Sequence, residues 1–288
     1  MLQKLFAVFL LTMLAAPAAC AEPLPVLVSI LPQKWLAEQV GGDRVHVTAL
    51  LDKGQEPHGM EPTPEQVTAL FRARLYFAIG LEFERGLLAK VEQAESNVQI
   101  VNTAAGIRKI PMTDHADHDH EHEHGGLDPH VWLDPQNLQK MAAVMAEALA
   151  AADPANAAVY QENLQAVSKE LRALHEAISK KLAPFKGQSF LVFHPAFGYF
   201  AHAYGLRQEA VEIEGKSPAP RQLYALIAKA KKEKVKVIFV QPQFDRKNAE
   251  TIAQAIGGKA AALDPLAENV PENLRLMAEQ ISSALGGN

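Results

Sequence analysis

Cysteine is almost absent from this 288-residue chain: Cys20 is the only one. That excludes a disulfide framework and any thiolate metal site. Long apolar runs are missing too. Beyond the first 21 residues, no stretch approaches the ~20 apolar residues that a membrane-spanning helix needs. Positive charge is not in excess: the formal net charge is −5, and the basic stripe of a nucleic-acid binder is not visible. Aromatic residues make up only 7%, yet hydrophobic residues reach 48% and charged residues 21%, the balance of a soluble globular protein. At this length about two domains are expected.

The first residues read as a secretory signal peptide, residues 1–21. Lys4 gives a positive start, Leu5 to Leu14 an apolar core, and Ala15 to Ala21 a run of small residues interrupted by Pro17. Cleavage after Ala19-Cys20-Ala21 leaves Glu22 as the mature start and removes the sole cysteine, which suits an oxidising compartment. A lipid anchor on Cys20 is the alternative, but Pro17 stands where a lipoprotein signal usually has Leu or Val.

Beyond residue 21 the chain alternates strand and helix signals. Val26–Ile30, Val45–Leu51, Leu75–Ile79 and Val98–Asn102 read as strands, with helices after Pro32 and over Pro64–Arg74. A second series reads Ser189–Phe193, Glu209–Ile213, Val235–Val240 and Ala260–Leu263 as strands. Its helices cover Ala196–Tyr204, Pro220–Lys232, Arg246–Ile256 and Glu272–Leu285. The pattern predicts two α/β lobes, residues 22–152 and 184–288, each with a parallel or mixed sheet covered by helices. Between them, Asp153 and Pro154 open a helical run with apolar residues from Val159 to Leu182 at three- and four-residue steps, and Pro184 ends it. Residues 153–183 are therefore expected to form a rod of roughly 45 Å, at ~1.5 Å per residue.

Histidine carries the chemistry. Of eleven histidines, His115, His118, His120, His122 and His124 lie in the segment DHADHDHEHEH, with Gly125 and Gly126 after it. With no apolar face to bury, this segment is expected to be a loop with weak, auxiliary affinity for a borderline cation such as Zn²⁺. His120 to His124 also satisfies the H-E-x-x-H pattern, but a zinc protease needs that motif on a packed helix, and the flanks here are low-complexity. His58 sits in EPHGMEPTP ahead of a Thr63/Gln66 capping box, and His130 in DPHVWLDP ahead of an Asp134-Pro135 helix start. His194 closes one strand and Asp264 another, each with proline next in the chain. Ligands of open α/β sheets bind beyond strand carboxyl ends. If the lobes face each other, three imidazoles and a carboxylate make a plausible tetrahedral Zn²⁺ shell. Taken singly, each of these residues also fits a surface or capping role.

Together the motifs PHGMEPTPEQV, DPHVWLDPQN, FHPAFGYFAHAYG and LDPL, with the acidic histidine-rich segment, resemble the zinc-receptor branch of the bacterial metal-binding proteins that serve ABC importers. The resemblance spans roughly residues 24 to 286. It implies two α/β lobes joined by one long rigid helix, with metal in the cleft between them and His58, His130, His194 and Asp264 as ligands. Some zinc members use water or a glutamate in place of the aspartate, so Glu56 and Glu61 are held in reserve. Manganese members carry a glutamate where His194 stands; the imidazole favours zinc. The implied protein is a periplasmic monomer and not an enzyme, which captures Zn²⁺ and passes it to an inner-membrane ABC permease. Because the ligands must be neutral imidazoles, affinity should fall below pH ~6.5. The competing readings are a manganese or other divalent-metal receptor, a metal buffer or adhesin, and a zinc hydrolase with Glu56 or Glu61 as base. No G-x-S-x-G or other nucleophile constellation appears.

Overall fold

The computed structural model describes residues 22–94, 96–112, 126–212 and 219–287. The expected signal peptide, the five histidines of the acidic segment and Ile213 lie outside them. Two four-stranded sheets organise the rest. In the first lobe β1 (Leu24–Val28), β2 (Val45–Ala49), β3 (Leu75–Ala78) and β4 (Gln99–Asn102) stand in the order β2-β1-β3-β4. In the second, β5 (Ser189–Val192), β6 (Arg207–Ala210), β7 (Val237–Val240) and β8 (Lys259–Ala262) stand in the order β6-β5-β7-β8. All six pairings are parallel, and both lobes are wound alike. β3 and β7 are buried at every residue, as inner strands are when helices cover both faces.

Helices α1 (Leu31–Gly41), α2 (Pro64–Arg72), α3 (Glu84–Gln93) and α4 (Pro135–Ala152) belong to the first lobe. Helix α5 (Ala157–Leu182) comes next, then α6 (Gly198–Ala203), α7 (Pro220–Lys232), α8 (Arg246–Ile256) and α9 (Val270–Gly286) in the second lobe. The local signals at α2 and α4 act as the sequence predicts. Thr63 and Gln66 close a reciprocal capping box, and the Asp134 side chain accepts from the backbone N–H of Gln136. Asp153 behaves differently. Its carboxylate accepts from Asn156 Nδ2 and the Tyr160 hydroxyl, both at 2.7 Å. That closes a 3-10 turn over Pro154–Asn156, so the long helix starts at Ala157. Its 26 residues span about 39 Å at ~1.5 Å each.

Helix α5 is the spine of the molecule. Tyr160, Val167, Leu171, Leu174, Ile178 and Leu182 are buried along one stripe, which packs on α1 and α4 of the first lobe and α9 of the second. One continuous apolar core therefore includes Val28 and Met145 as well as Phe239 and Met277. Polar links add to it: Trp132 Nε1 donates to the Pro265 carbonyl at 2.7 Å, and Lys34 Nζ to Glu268 at 2.5 Å.

Helix α3 and strand β6 are two further departures from expectation. Helix α3, between β3 and β4, has no counterpart in the sequence pattern; it buries only Leu87 and Val91 besides Glu84, too few to show an apolar period. Strand β6 begins at Arg207, two residues before the predicted start, because pairing with β5 fixes it (Ser189 opposite Arg207) and not its own apolar content.

The carboxyl ends of the two sheets are used differently. In the first lobe, the crevice between β1 and β3 is plugged by Glu84, which is 1% exposed. It accepts from the Ser29 hydroxyl and from the backbone N–H groups of Ile79, Gly80 and Leu81. Burial raises its pKa in spite of those bonds. The equivalent crevice of the second lobe, between β5 and β7, is where His194 and Gln241 meet.

Candidate metal centre

Three imidazoles converge between the lobes. His58 comes from the loop between β2 and α2. His130 comes from the approach to α4, where Val131–Leu133 make a 3-10 turn. His194 lies just beyond β5. One ring nitrogen from each lies within 4.8 Å of the other two, and among the described residues this is the one such group of His, Cys, Asp or Glu. The Nε2 atoms of His58 and His194 are 3.1 Å apart. A tetrahedral shell with Zn–N bonds of ~2.0–2.1 Å has N···N edges of about 3.3 Å, so this spacing leaves room for one cation touching both.

Two of the rings are aimed by carboxylates. His130 Nδ1 is 2.7 Å from Asp128 Oδ1, which also accepts the His130 backbone N–H at 2.8 Å. His194 Nδ1 is 2.9 Å from Glu212 Oε2. A carboxylate on Nδ1 keeps the proton there and leaves the Nε2 lone pair for a metal. The His194 backbone is pinned as well: its carbonyl accepts from Gln241 Nε2 at 2.7 Å. Its ring stacks on Phe244, centroids 5.0 Å apart and planes at 19°. His130 packs against Trp132, centroids 5.2 Å apart. Gly198 leaves space behind the Asp128–His130 pair, since a Cβ there would come within 2.4 Å of Asp128 Oδ2.

The electrostatics favour the neutral form of two of the rings, His58 and His194. Burial first, then the proximity of His194 and His130, pushes the His58 pKa down to about 4. Burial also lowers that of His194, against the hydrogen bond to Glu212. Three imidazole nitrogen donors suit a borderline cation better than a hard one such as Mn²⁺.

The other predicted residues are placed as follows. Asp264 stands outside the histidine group; its Oδ1 accepts from Gln243 Nε2 and from the backbone N–H of Leu266, both at 2.9 Å. Its neighbours Pro265 and Leu266 do line the cleft. Glu56 lines the cleft together with the three histidines. Burial and the Glu212 charge raise its pKa. Glu61 is exposed and does not line the cleft. Glu212, Gln241, Gln243 and Phe244 do not stand out in the sequence. For Glu212 a signal exists: it is an acid directly after Val211 in a predicted strand.

Comparison with known proteins shows the family. The ZnuA family model, described as the periplasmic component A of the zinc-uptake complex, matches residues 26–284. The high-affinity zinc uptake system protein ZnuA of Paracoccus denitrificans (strain Pd 1222) is 31% identical over 318 residues, covering 95% of each chain. The ZnuA of Bacillus subtilis (strain 168) is 32% identical over 256 residues, 85% of this chain and 79% of its own. The crystal structure of a zinc-bound ZnuA with residues 138-173 deleted is 37% identical. It covers 91% of this chain and 98% of its own with a TM-score of 0.83. With the family model spanning both lobes and the helix between them, the chain belongs to the ZnuA family, the periplasmic component A of zinc-uptake complexes.

Proposed function

We propose that this chain captures Zn²⁺ outside the cytoplasmic membrane and delivers it to an ABC-type permease. The observation that carries this reading is the convergence of His58, His130 and His194 on one point, with two of the rings anchored by carboxylates. The working unit is two lobes, residues 22–152 and 184–288, held by the helical segment 153–183. It acts as a receptor and not an enzyme, as a monomer, after export through a cleaved leader at residues 1–21 that takes Cys20 with it. Glu56 stands closer to the cation's place than Glu61 does, since only Glu56 lines the cleft. No helix among the described residues is long and apolar enough to cross a membrane, which fits a receptor that meets its permease from outside.

In this reading the acidic segment serves as a weak auxiliary binder. Deleting residues 114–124 should leave one tight Zn²⁺ site with unchanged affinity and remove only weaker equivalents in a calorimetric titration. Loss of the tight site on deletion would move the ligands into that segment.

The lowered histidine pKa values also set a pH dependence. In the unfolded chain these imidazoles titrate near pH 6.5; in the metal-free fold His58 does so near 4. Between those values the unfolded state binds more protons, so stability rises with pH across the window. Metal-free protein should therefore hold its full stability above pH ~6.5 and lose it progressively as the pH falls towards 4. Denaturant melts at stepped pH measure this, and a His58→Gln variant should show a shallower dependence. The same neutrality lets Zn²⁺ capture persist to lower pH than an exposed imidazole allows.

A further inference from the structure

The second lobe has a basic end. Its four strands are parallel, so they all start at one end of the sheet, opposite the end that leads to His194. Cations stand along those starts: Lys186 ahead of β5, Arg207 opening β6, Lys236 ahead of β7 and Lys259 opening β8. Backbone bonds set them side by side, from the Arg207 N–H to the Gln188 carbonyl at 3.0 Å and from the Lys259 N–H to the Lys236 carbonyl at 2.9 Å. Helix α7 brings Lys231 and Lys232 in its last turn, and Lys234 follows in the turn to β7. All of these residues are exposed, and among the described residues none is in an ion pair. The acids of the same segments are Glu233, which is exposed, and Glu209, which pairs with Lys229 at 3.0 Å. The whole chain carries a net charge of −5, so the fold concentrates its cations here.

Lysines at a helix C-terminus complement the helix dipole. That accounts for Lys231 and Lys232, but not for the cations that open the strands. Lys234 adds a separate sign. Among the described residues it is the one non-glycine with φ in the left-handed region, at 59°, where glycine sits without strain. A lysine kept there at a conformational cost points to a use for its charge. The face is broad and has no pocket: four strands ~4.8 Å apart spread it over roughly 15 Å. Its charges are mostly ammonium groups, point charges that suit a diffuse anionic surface. The planar guanidinium that grips a single carboxylate or phosphate is present only at Arg207, whose Nε donates to Ser189 Oγ at 3.3 Å.

We propose that this end of the second lobe rests on the anionic phospholipid headgroups of the membrane and holds the receptor reversibly beside its permease. The proposal rests on the reading of the chain as an extracytoplasmic receptor, which places it next to such a surface. The metal centre lies past the opposite strand ends, so lipid contact leaves the cleft free to load. Each lysine close to an anionic bilayer strengthens association about fivefold. The attraction reaches about one Debye length, ~8–10 Å at physiological salt, and fades as salt is added.

The test is cosedimentation of the full mature chain with two kinds of vesicle, pure phosphatidylcholine and equal parts phosphatidylcholine and phosphatidylglycerol. The wild type should partition onto the anionic vesicles alone, and added salt should release it. Replacing Lys231, Lys232 and Lys234 together by glutamine should weaken that partition about 100-fold and leave Zn²⁺ affinity, read by chelator competition, unchanged. Lys234→Gly should weaken it about fivefold while raising the melting temperature, a split that no folding defect produces. The control removes as much charge from the first lobe, by glutamine at Arg72, Arg85 and Lys90, all exposed on α2 and α3, and should lose far less. Equal partition onto both vesicles, an equal loss in the control, or preference for polyglutamate over anionic vesicles, which would give the face to an acidic protein, overturns the proposal. A wild type that captures Zn²⁺ and ignores anionic vesicles removes this inference alone. One that fails to capture Zn²⁺ removes the receptor reading, whatever the vesicles show.

Discussion

Replacing His58 and His194 together by alanine is expected to weaken Zn²⁺ capture by about four orders of magnitude. Zinc held by side chains in a structural site is worth ~10–16 kcal/mol, or roughly 2.5–4 kcal/mol per ligand when four share it. Each lost imidazole therefore costs at least ~10²-fold in affinity. The two rings come from opposite lobes, and their Nε2 atoms stand 3.1 Å apart, so one cation must lose both. His58→Ala alone should show the ~10²-fold step in isolation, because no carboxylate among the described residues anchors that ring. The removal of His194 also leaves Glu212, 8% exposed, without its ring partner, and part of the double variant's loss will appear as lower stability of the metal-free form. Chelator competition reads the affinity and a denaturant melt reads the stability. Wild-type affinity in the double variant is incompatible with a cleft site.

The second large effect belongs to the carboxylates behind the rings. Asp128→Asn and Glu212→Gln should each reduce Zn²⁺ affinity 10–100-fold, although neither residue is a proposed ligand. An amide oxygen can still accept from Nδ1–H. It brings no negative charge, however, and so gives up part of the basicity that the carboxylate lends to Nε2. Asp128 Oδ2 has no hydrogen-bond partner among the described residues, so the amide nitrogen that replaces it lacks an acceptor, a cost to the metal-free fold of about 1–3 kcal/mol. Affinity should fall as well, while the metal-free melting temperature drops by several degrees. A pure stability loss with unchanged affinity would make Asp128 and Glu212 structural residues and nothing more.

Particular residues show why some of the fold and site is readable in the chain and some is not. The capping residues Thr63, Gln66 and Asp134 act within one helical turn, so their spacing alone announces them. His58, His130 and His194 are legible in part: each sits beside a proline at the edge of a regular element, a setting that taken singly also fits a surface or capping residue, and only the four motifs together point to a metal. The pairing of Glu212 with His194 depends on the β5–β6 register. Val192 faces Ala210, so two further residues along each strand bring His194 level with Glu212, a relation invisible until the strands are paired. Asp264 obeys the same end-of-strand logic as His194, and its Oδ1 accepts from Gln243 and from the Leu266 N–H, bonds that spacing along the chain does not announce. Asp153 reads as a helix cap, yet Tyr160 draws its carboxylate into a tighter turn, a competition that spacing does not resolve.

The most direct test is anomalous diffraction at the zinc edge from crystals of the mature chain loaded with one equivalent of Zn²⁺. A single peak about 2.0–2.1 Å from the Nε2 atoms of His58, His130 and His194 is the predicted result. A peak bound elsewhere, or a cleft in which the three rings hold no ion, would contradict it.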